Sequence, residues 1–73
     1  MPKLVIKGER LIQILYKNFR VVAVRQKGSH VIVLRSSLNR TTTIPVGKIL
    51  KQGTLNSILK DLGLTKDDIR QFL

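Results

Sequence analysis

The chain contains no cysteine and only one histidine, and these two scarcities exclude most kinds of catalytic and metal site. Without cysteine it can form no disulfide, thiolate nucleophile or thiolate zinc site. Its four acidic residues and single histidine form no cluster at metal-ligand spacing, and Gly28-Ser29 lacks the spacing of a phosphate-binding loop. A catalytic triad would need a carboxylate on His30, and none lies nearby in sequence. We therefore expect no metal and no cofactor.

Long apolar runs are also missing. Met1-Pro2-Lys3 is followed by only three apolar residues, too few for a signal peptide or a membrane span. This start, together with the lack of cysteine, predicts a cytoplasmic protein that makes no membrane contact. At 73 residues the chain predicts one domain over residues 1–73 with one core, near the lower size limit for unaided folding.

Negative charge is scarce, and the imbalance indicates the kind of partner. Fourteen lysines and arginines stand against four acids, a formal net charge of +10. So many positive charges repel one another in a small chain, and a polyanionic partner that neutralises them is therefore expected. Nucleic acid is the first candidate and an acidic protein the second. A membrane surface ranks third and is not expected, because no segment combines a basic face with large exposed apolar anchors. A basic protein without a polyanionic partner is the remaining alternative.

Apolar spacing predicts three helices. The first covers about residues 9 to 17, with Gly8 as its N-cap and Asn18 as a left-handed C-cap. The second begins at its cap Thr54 and ends at Gly63. Thr65 caps the last short helix, whose first turn contains two aspartates and whose apolar side is Ile69, Phe72 and Leu73.

Runs rich in β-branched residues predict three strands, at residues 19–25, 31–35 and 41–46. The unbroken apolar run from Val31 to Leu34 indicates burial on both faces. Pro45 is expected at a sheet edge, because proline cannot donate to a ladder. The resulting order, α-β-β-β-α-α, predicts an α+β fold with a three-stranded antiparallel sheet and helices on one face.

The segment from Arg25 to His30 is the strongest candidate for an active site. Gly28 suits a tight turn between two strands, and His30 then opens the second strand beside Arg25 and Lys27. An excess of cations with one imidazole is compatible with RNA cleavage, since the substrate brings its own 2′-hydroxyl nucleophile. A positioned imidazole moves a proton, and cations stabilise charge on the phosphate. The alternative is that His30 makes only a structural hydrogen bond.

A second candidate phosphate contact lies where the second helix begins. Gly53 and Thr54 are expected to present free backbone N–H groups, with Lys48 and Lys51 just before them. The alternative is a well-capped helix preceded by lysines that contact only water.

Three blocks together resemble the HicA family of toxins, also called YcfA-like proteins. They are residues 25–30 (RQKGSH), residues 43–46 (TIPV), and residues 53–60 (GTLNSILK) followed by Gly63-Leu64-Thr65. With the first helix they cover nearly the whole chain.

The resemblance implies a double-stranded-RNA-binding-like fold, α-β-β-β-α(-α), and a toxin of a type II toxin–antitoxin system. It implies a metal-independent endoribonuclease, an mRNA interferase, with His30 as the catalytic residue. The substrate would be mRNA, and a HicB-type antitoxin would be the protein partner. The RNA-binding residues expected here are Arg25, Lys27, Gly28, Ser29, Lys48, Lys51 and Thr54.

Two features depart from the family pattern. The family often has a second histidine where this chain has Gly47, and residues 19–25 form a segment about two residues longer than usual, expected to preserve strand alternation. Two other functional classes remain open: a non-catalytic RNA-binding module of the same fold, and a protein-interaction domain for an acidic partner.

Overall fold

Helices and strands follow one another in the predicted order α-β-β-β-α-α. The computed structural model describes residues 3–73; Met1 and Pro2, the first two residues of the predicted domain, lie outside the described residues. The elements are α1 (Gly8–Phe19), β1 (Val21–Lys27), β2 (His30–Arg35), β3 (Arg40–Pro45), α2 (Gln52–Leu62) and α3 (Lys66–Arg70), with a 3₁₀ turn at Ser36–Leu38 between β2 and β3.

The strands form an antiparallel sheet in the order β1-β2-β3, and the helices pack against one of its faces. Val31 and Val33 of β2 are buried under the helices, whereas Ile32 and Leu34 on the other face are only half-buried. The chain itself therefore buries only one of the two faces of β2 that were expected to be buried; the second face of the sheet is the open face. Pro45 ends the edge strand β3, as predicted.

The core is aliphatic. The buried apolar residues of the described chain are Leu, Ile and Val side chains, and all six elements contribute some of them. The others are Leu4 and Ile6 of the lead-in (residues 3–7, before α1) and Leu50 of the connector (residues 47–51, before α2). Burying each such side chain contributes about 1.5–3 kcal/mol. None of the helices within residues 3–73 is long and apolar enough to cross a membrane.

A β-bulge interrupts β1 and changes which side chains share a face. Ala23 pairs with Val33, but Arg25 pairs with Ile32, so Val24 is an extra residue in β1. Side chains of a strand alternate between faces, and one extra residue reverses the alternation beyond it. The expectation that the longer segment preserves alternation is therefore wrong.

Helix α1 begins one residue earlier than predicted. Lys7, not Gly8, is the N-cap, and it forms an isolated antiparallel bridge with Ile49. Gly8 is the first helical residue and is buried, with its N–H directed at the carbonyl oxygen of Lys48 at 3.4 Å. This tertiary contact determines that Gly8 is the first residue of the helix. Capping preferences depend only on neighbouring residues and therefore could not predict it.

Helix α1 also ends later than predicted, so the choice of Asn18 as C-cap is wrong. Asn18 lies within the helix, where its Nδ2 donates to the Ile14 carbonyl oxygen. The helix continues to Phe19, whose ring packs edge-on against Phe72 with centroids 5.6 Å apart. Arg20 then takes the left-handed cap conformation, with φ of 56°. As a result, β1 begins two residues after its predicted start.

Helix α2 begins two residues before the predicted cap, Thr54. Lys51 is the N-cap, and the first intrahelical bond runs from the Leu55 N–H to the Lys51 carbonyl oxygen at 2.9 Å. Thr54 is therefore the third helical residue, and no side chain caps the helix.

The junction from α2 to α3 agrees with the prediction. Gly63 ends α2 in the left-handed conformation, and Thr65 caps α3 in a reciprocal pair of bonds with Asp68. Ile69 is buried beneath this turn, but Leu73, predicted on the same apolar side, is 60% exposed.

Candidate functional site

His30 is the first residue of β2, at the strand entrance predicted for it. It follows the two-residue turn of Gly28 and Ser29, where Gly28 has a φ of +59°. It pairs with Lys27 of β1 on one side and with Pro45 of β3 on the other. The side chain is exposed, so it is available to a ligand.

A cleft of about 380 Å³ joins His30 to the connector before α2. Three predicted RNA-binding residues, Lys48, Lys51 and Thr54, line this cleft with His30. These lysines and the threonine lie about twenty positions from His30 in sequence; the fold brings them to one opening. The other lining residues are Thr43, Pro45 and Leu50, which sequence reasoning did not single out. The strand period of two, counted back from Pro45, would have placed Thr43 on the same face.

Arg25 and Lys27 lie on the open face beside His30 as a result of the bulge. Lys27 is directly opposite His30, and Arg25 is opposite Ile32, the next residue of β2 on that face. Side chains directly opposite one another on a sheet have Cβ atoms about 4.5–5.5 Å apart. Two cations therefore flank the imidazole from the β1 side, although neither lines the cleft.

Gly28 and Ser29 form the turn itself and are also outside the cleft. The Gly28 carbonyl oxygen accepts a bond from Nε2 of Gln26, and the Ser29 carbonyl oxygen accepts one from the Val46 N–H at 2.8 Å. The second bond ties the turn before His30 to the segment after β3. The backbone of Gly28 and Ser29 therefore positions His30 relative to the connector.

The connector that presents Lys48 and Lys51 is held from beneath by the lead-in. The Leu50 N–H donates to the Ile6 carbonyl oxygen at 2.9 Å, and Gln52 Nε2 donates to the Leu4 carbonyl oxygen at 2.8 Å. Sequence analysis gave the lead-in no such role, since its pairing with the connector spans more than forty residues.

Glu9 is a further positioning residue that sequence reasoning missed. Its Oε1 accepts a hydrogen bond from the Gly47 N–H at 2.8 Å, and this bond lowers the pKa of Glu9 below its ordinary value. The bond anchors the start of the connector to α1. Gly47 itself has a φ of +88°, which L side chains rarely adopt, so a histidine at this position would be strained in this backbone.

The start of α2 is the positive end of the helix dipole, and no acidic side chain of its first turn neutralises it. No side chain caps it, and no acidic residue lies in its first turn. The backbone N–H groups of residues 52–54 precede the first intrahelical bond, so they remain free to donate. Lys51 and Thr54 line the cleft at this point. An anion such as a phosphate is the ligand that such a terminus favours.

A larger groove of about 920 Å³ continues from the cleft between α2 and β3; we call it the α2–β3 groove. It shares Thr43, Lys51 and Thr54 with the cleft. The remaining lining residues are Ile32, Thr41, Thr42, Gly53, Ser57, Ile58 and Asp61. At its far end Thr42 Oγ1 donates to Asp61 Oδ2 at 2.9 Å.

Together these features can hold a phosphodiester against an imidazole. His30 supplies a group that takes and gives protons, and two lysines with free N–H groups face the same cleft. Within residues 3–73, no three histidine or carboxylate residues are grouped so as to hold a metal ion.

A family model described as the HicA toxin of bacterial toxin–antitoxin matches residues 8–64. The match covers 57 of the chain's 73 residues, from the first residue of α1 to just beyond α2. It includes every residue of the cleft and of the α2–β3 groove. No curated protein matches the chain at a significant level.

Proposed function

The chain belongs to the HicA toxin family of bacterial toxin–antitoxin systems, and on this premise we propose that it is a cytoplasmic endoribonuclease that cleaves mRNA. The observation that carries the proposal is the cleft shared by His30, Lys48, Lys51 and Thr54. It places one imidazole beside cations and free backbone donors, which suit a phosphodiester. A HicB-type antitoxin is the proposed inhibitor.

The chemistry needs little from the protein. The RNA 2′-hydroxyl attacks the adjacent phosphorus and loses its proton, and the leaving 5′-oxygen gains one. His30 carries one of these transfers and water the other, a contribution of roughly 100- to 10,000-fold for the positioned imidazole. Lys48, Lys51 and the N–H groups at the start of α2 stabilise the charge that builds on the phosphate oxygens.

Inducible expression tests this function directly. The gene is expressed with and without its neighbouring reading frame, and growth is followed together with the integrity of mRNA. We expect growth arrest with fragmented mRNA, relieved when the neighbour is present. Arrest with intact mRNA would contradict ribonuclease activity, and purified protein that binds RNA without cutting it would indicate the binding module instead.

Neutralising Lys48 and Lys51 is expected to weaken binding to all RNAs about equally, since both lysines face phosphate. The slope of log K against log salt should fall by roughly 0.7 for each phosphate of a single strand that is no longer neutralised. Fluorescence titration of the Lys48→Gln, Lys51→Gln variant across salt concentrations measures this. Lys17→Gln, Lys60→Gln removes the same charge outside the cleft and serves as the control. A sequence-selective weakening with an unchanged slope would show that Lys48 and Lys51 do not contact phosphate.

The antitoxin is expected to cover the turn around His30. Arg25 and Lys27 attract acidic groups, and the open face beside them carries the apolar side chains of Val22, Ile32 and Leu34. Amide hydrogen exchange on the complex with the neighbouring gene's product should show protection across residues 25–33. Protection confined to α3, with residues 25–33 unchanged, would rule out direct occlusion.

A further inference from the structure

The lining of the α2–β3 groove differs from that of the cleft beside it. Hydroxyl groups dominate, from three successive threonines of β3 and from Thr54 and Ser57 of α2. Ile32 adds half-buried apolar surface, whereas Ile58 is only 2% exposed, and Asp61 closes the far end with a carboxylate. Hydroxyl, carboxylate and aliphatic groups together match the edge and face of a nucleobase better than they match a phosphate.

Asp61 differs from the other acids of the described chain. Each of the others has a backbone or ionic partner: Glu9 binds the Gly47 N–H, Asp67 pairs with Arg70, and Asp68 binds the Thr65 N–H. Among residues 3–73, Asp61 has only the Thr42 hydroxyl as a partner and lies in no ion pair. One carboxylate oxygen therefore remains free to accept hydrogen bonds in the groove, and Oδ2 has further capacity.

A carboxylate in a polyanion-binding groove repels phosphate, so its ligand must be a hydrogen-bond donor. Of the four RNA bases, guanine presents two adjacent donors on its Watson–Crick edge, the N1–H and the 2-amino group. Two parallel donors match the two oxygens of a carboxylate. Single-stranded RNA is read on such edges when its bases are unstacked.

The separation of Thr54 and Asp61 along α2 matches the length of one nucleotide. Thr54 lines both the cleft and the groove, and Asp61 lies seven residues farther along the helix, about 10 Å along its axis. A nucleotide spans about this length from its phosphate to the far edge of a purine. Half-buried Ile32 offers apolar surface to the base, whereas Ile58 beneath the groove is buried in the core.

We propose that the α2–β3 groove binds a guanine next to the scissile phosphate and that Asp61 selects it. This inference rests on the proposed ribonuclease function and extends it to base specificity. Phosphate binds at the start of α2 beside His30, while the base lies along β3 with its Watson–Crick edge on Asp61.

The test compares cleavage sites in a pool of short RNAs for the wild type, Asp61→Asn and Asp67→Asn. Asparagine keeps the shape and the acceptor for Thr42, but it offers one donor and one acceptor, which suit adenine. We expect the preference for guanine to fall about 5- to 150-fold in Asp61→Asn, with new cleavage beside adenine. Asp67→Asn, with the same charge change outside the groove, should keep the wild-type preference.

A substrate-side measurement removes any dependence on the folding of a variant. Inosine lacks the 2-amino group, so replacing the preferred guanosine with inosine should slow cleavage by the wild-type protein about fivefold or more. Equal rates on the two substrates, or wild-type preference in Asp61→Asn, would overturn the inference. Cleavage by the wild type without base preference would overturn this inference alone, whereas absence of any cleavage would overturn the proposed function as well.

Discussion

Replacing His30 with alanine is expected to abolish RNA cleavage and growth arrest while leaving the fold intact. His30 is exposed at the start of β2 and does not belong to the core, so its replacement removes a proton carrier and little packing. The rate is expected to fall about 100- to 10,000-fold. Single-turnover cleavage of a labelled RNA gives the rate, and thermal unfolding of the same preparation tests the fold.

Two further variants separate catalysis from structure. His30→Gln retains hydrogen-bonding groups but cannot exchange a proton near neutral pH, so it should be as inactive as the alanine variant. Tyr16→Ala removes an exposed side chain of α1 that does not line the cleft, and this variant should cleave normally. Wild-type cleavage by His30→Ala would show that His30 is not catalytic. Unfolding of that variant would favour the structural role.

Replacing Gly8 with alanine is expected to cause a large decrease in stability. A Cβ at this position would lie 1.9 Å from the Pro45 carbonyl oxygen and 2.9 Å from its carbon. Both are backbone atoms, so α1 and the end of β3 would have to move apart. Overpacking of this kind costs about 1–3 kcal/mol or more, and each kcal/mol lowers Tm by about 4–8 °C in a domain of this size. Calorimetry of the purified variant measures the shift.

Gly53→Ala is the matched control for this substitution. Gly53 is also helical, but outside its chain neighbours and the nearby backbone of α2 itself, no atom of residues 3–73 lies within 4 Å of an added Cβ. Alanine is the better helix former by roughly 0.5–1 kcal/mol, so Tm should stay level or rise. If Gly8→Ala unfolded at the wild-type temperature, the close approach of α1 to Pro45 would be disproved. The substitution at Gly8 should also displace the connector, since the Gly8 N–H points to the Lys48 carbonyl.

The order of elements and the place of His30 followed from local patterns in the sequence. Helical spacing of leucine and isoleucine marked α1 and α2, β-branched runs marked the strands, and Gly28 and Gly63 marked two of the turns. Such signals act between residues a few positions apart, so the sequence contains them without reference to the fold. Both ends of α1 departed from their predicted positions, because tertiary contacts of Gly8 and Phe19 extend the helix.

The composition of the site was decided by the tertiary structure. A single extra residue in β1, Val24, places Arg25 and Lys27 on the same face of the sheet as His30. Because side chains of a strand alternate between the two faces, one inserted residue moves every later side chain of that strand to the opposite face. Pairing of the lead-in with the connector brings Lys48 and Lys51 to the cleft, and the packing of α2 beside β3 places Asp61 at the end of the groove. These contacts join residues from about twenty to nearly fifty positions apart. Local periodicity does not encode them, because they depend on how whole elements pack against one another.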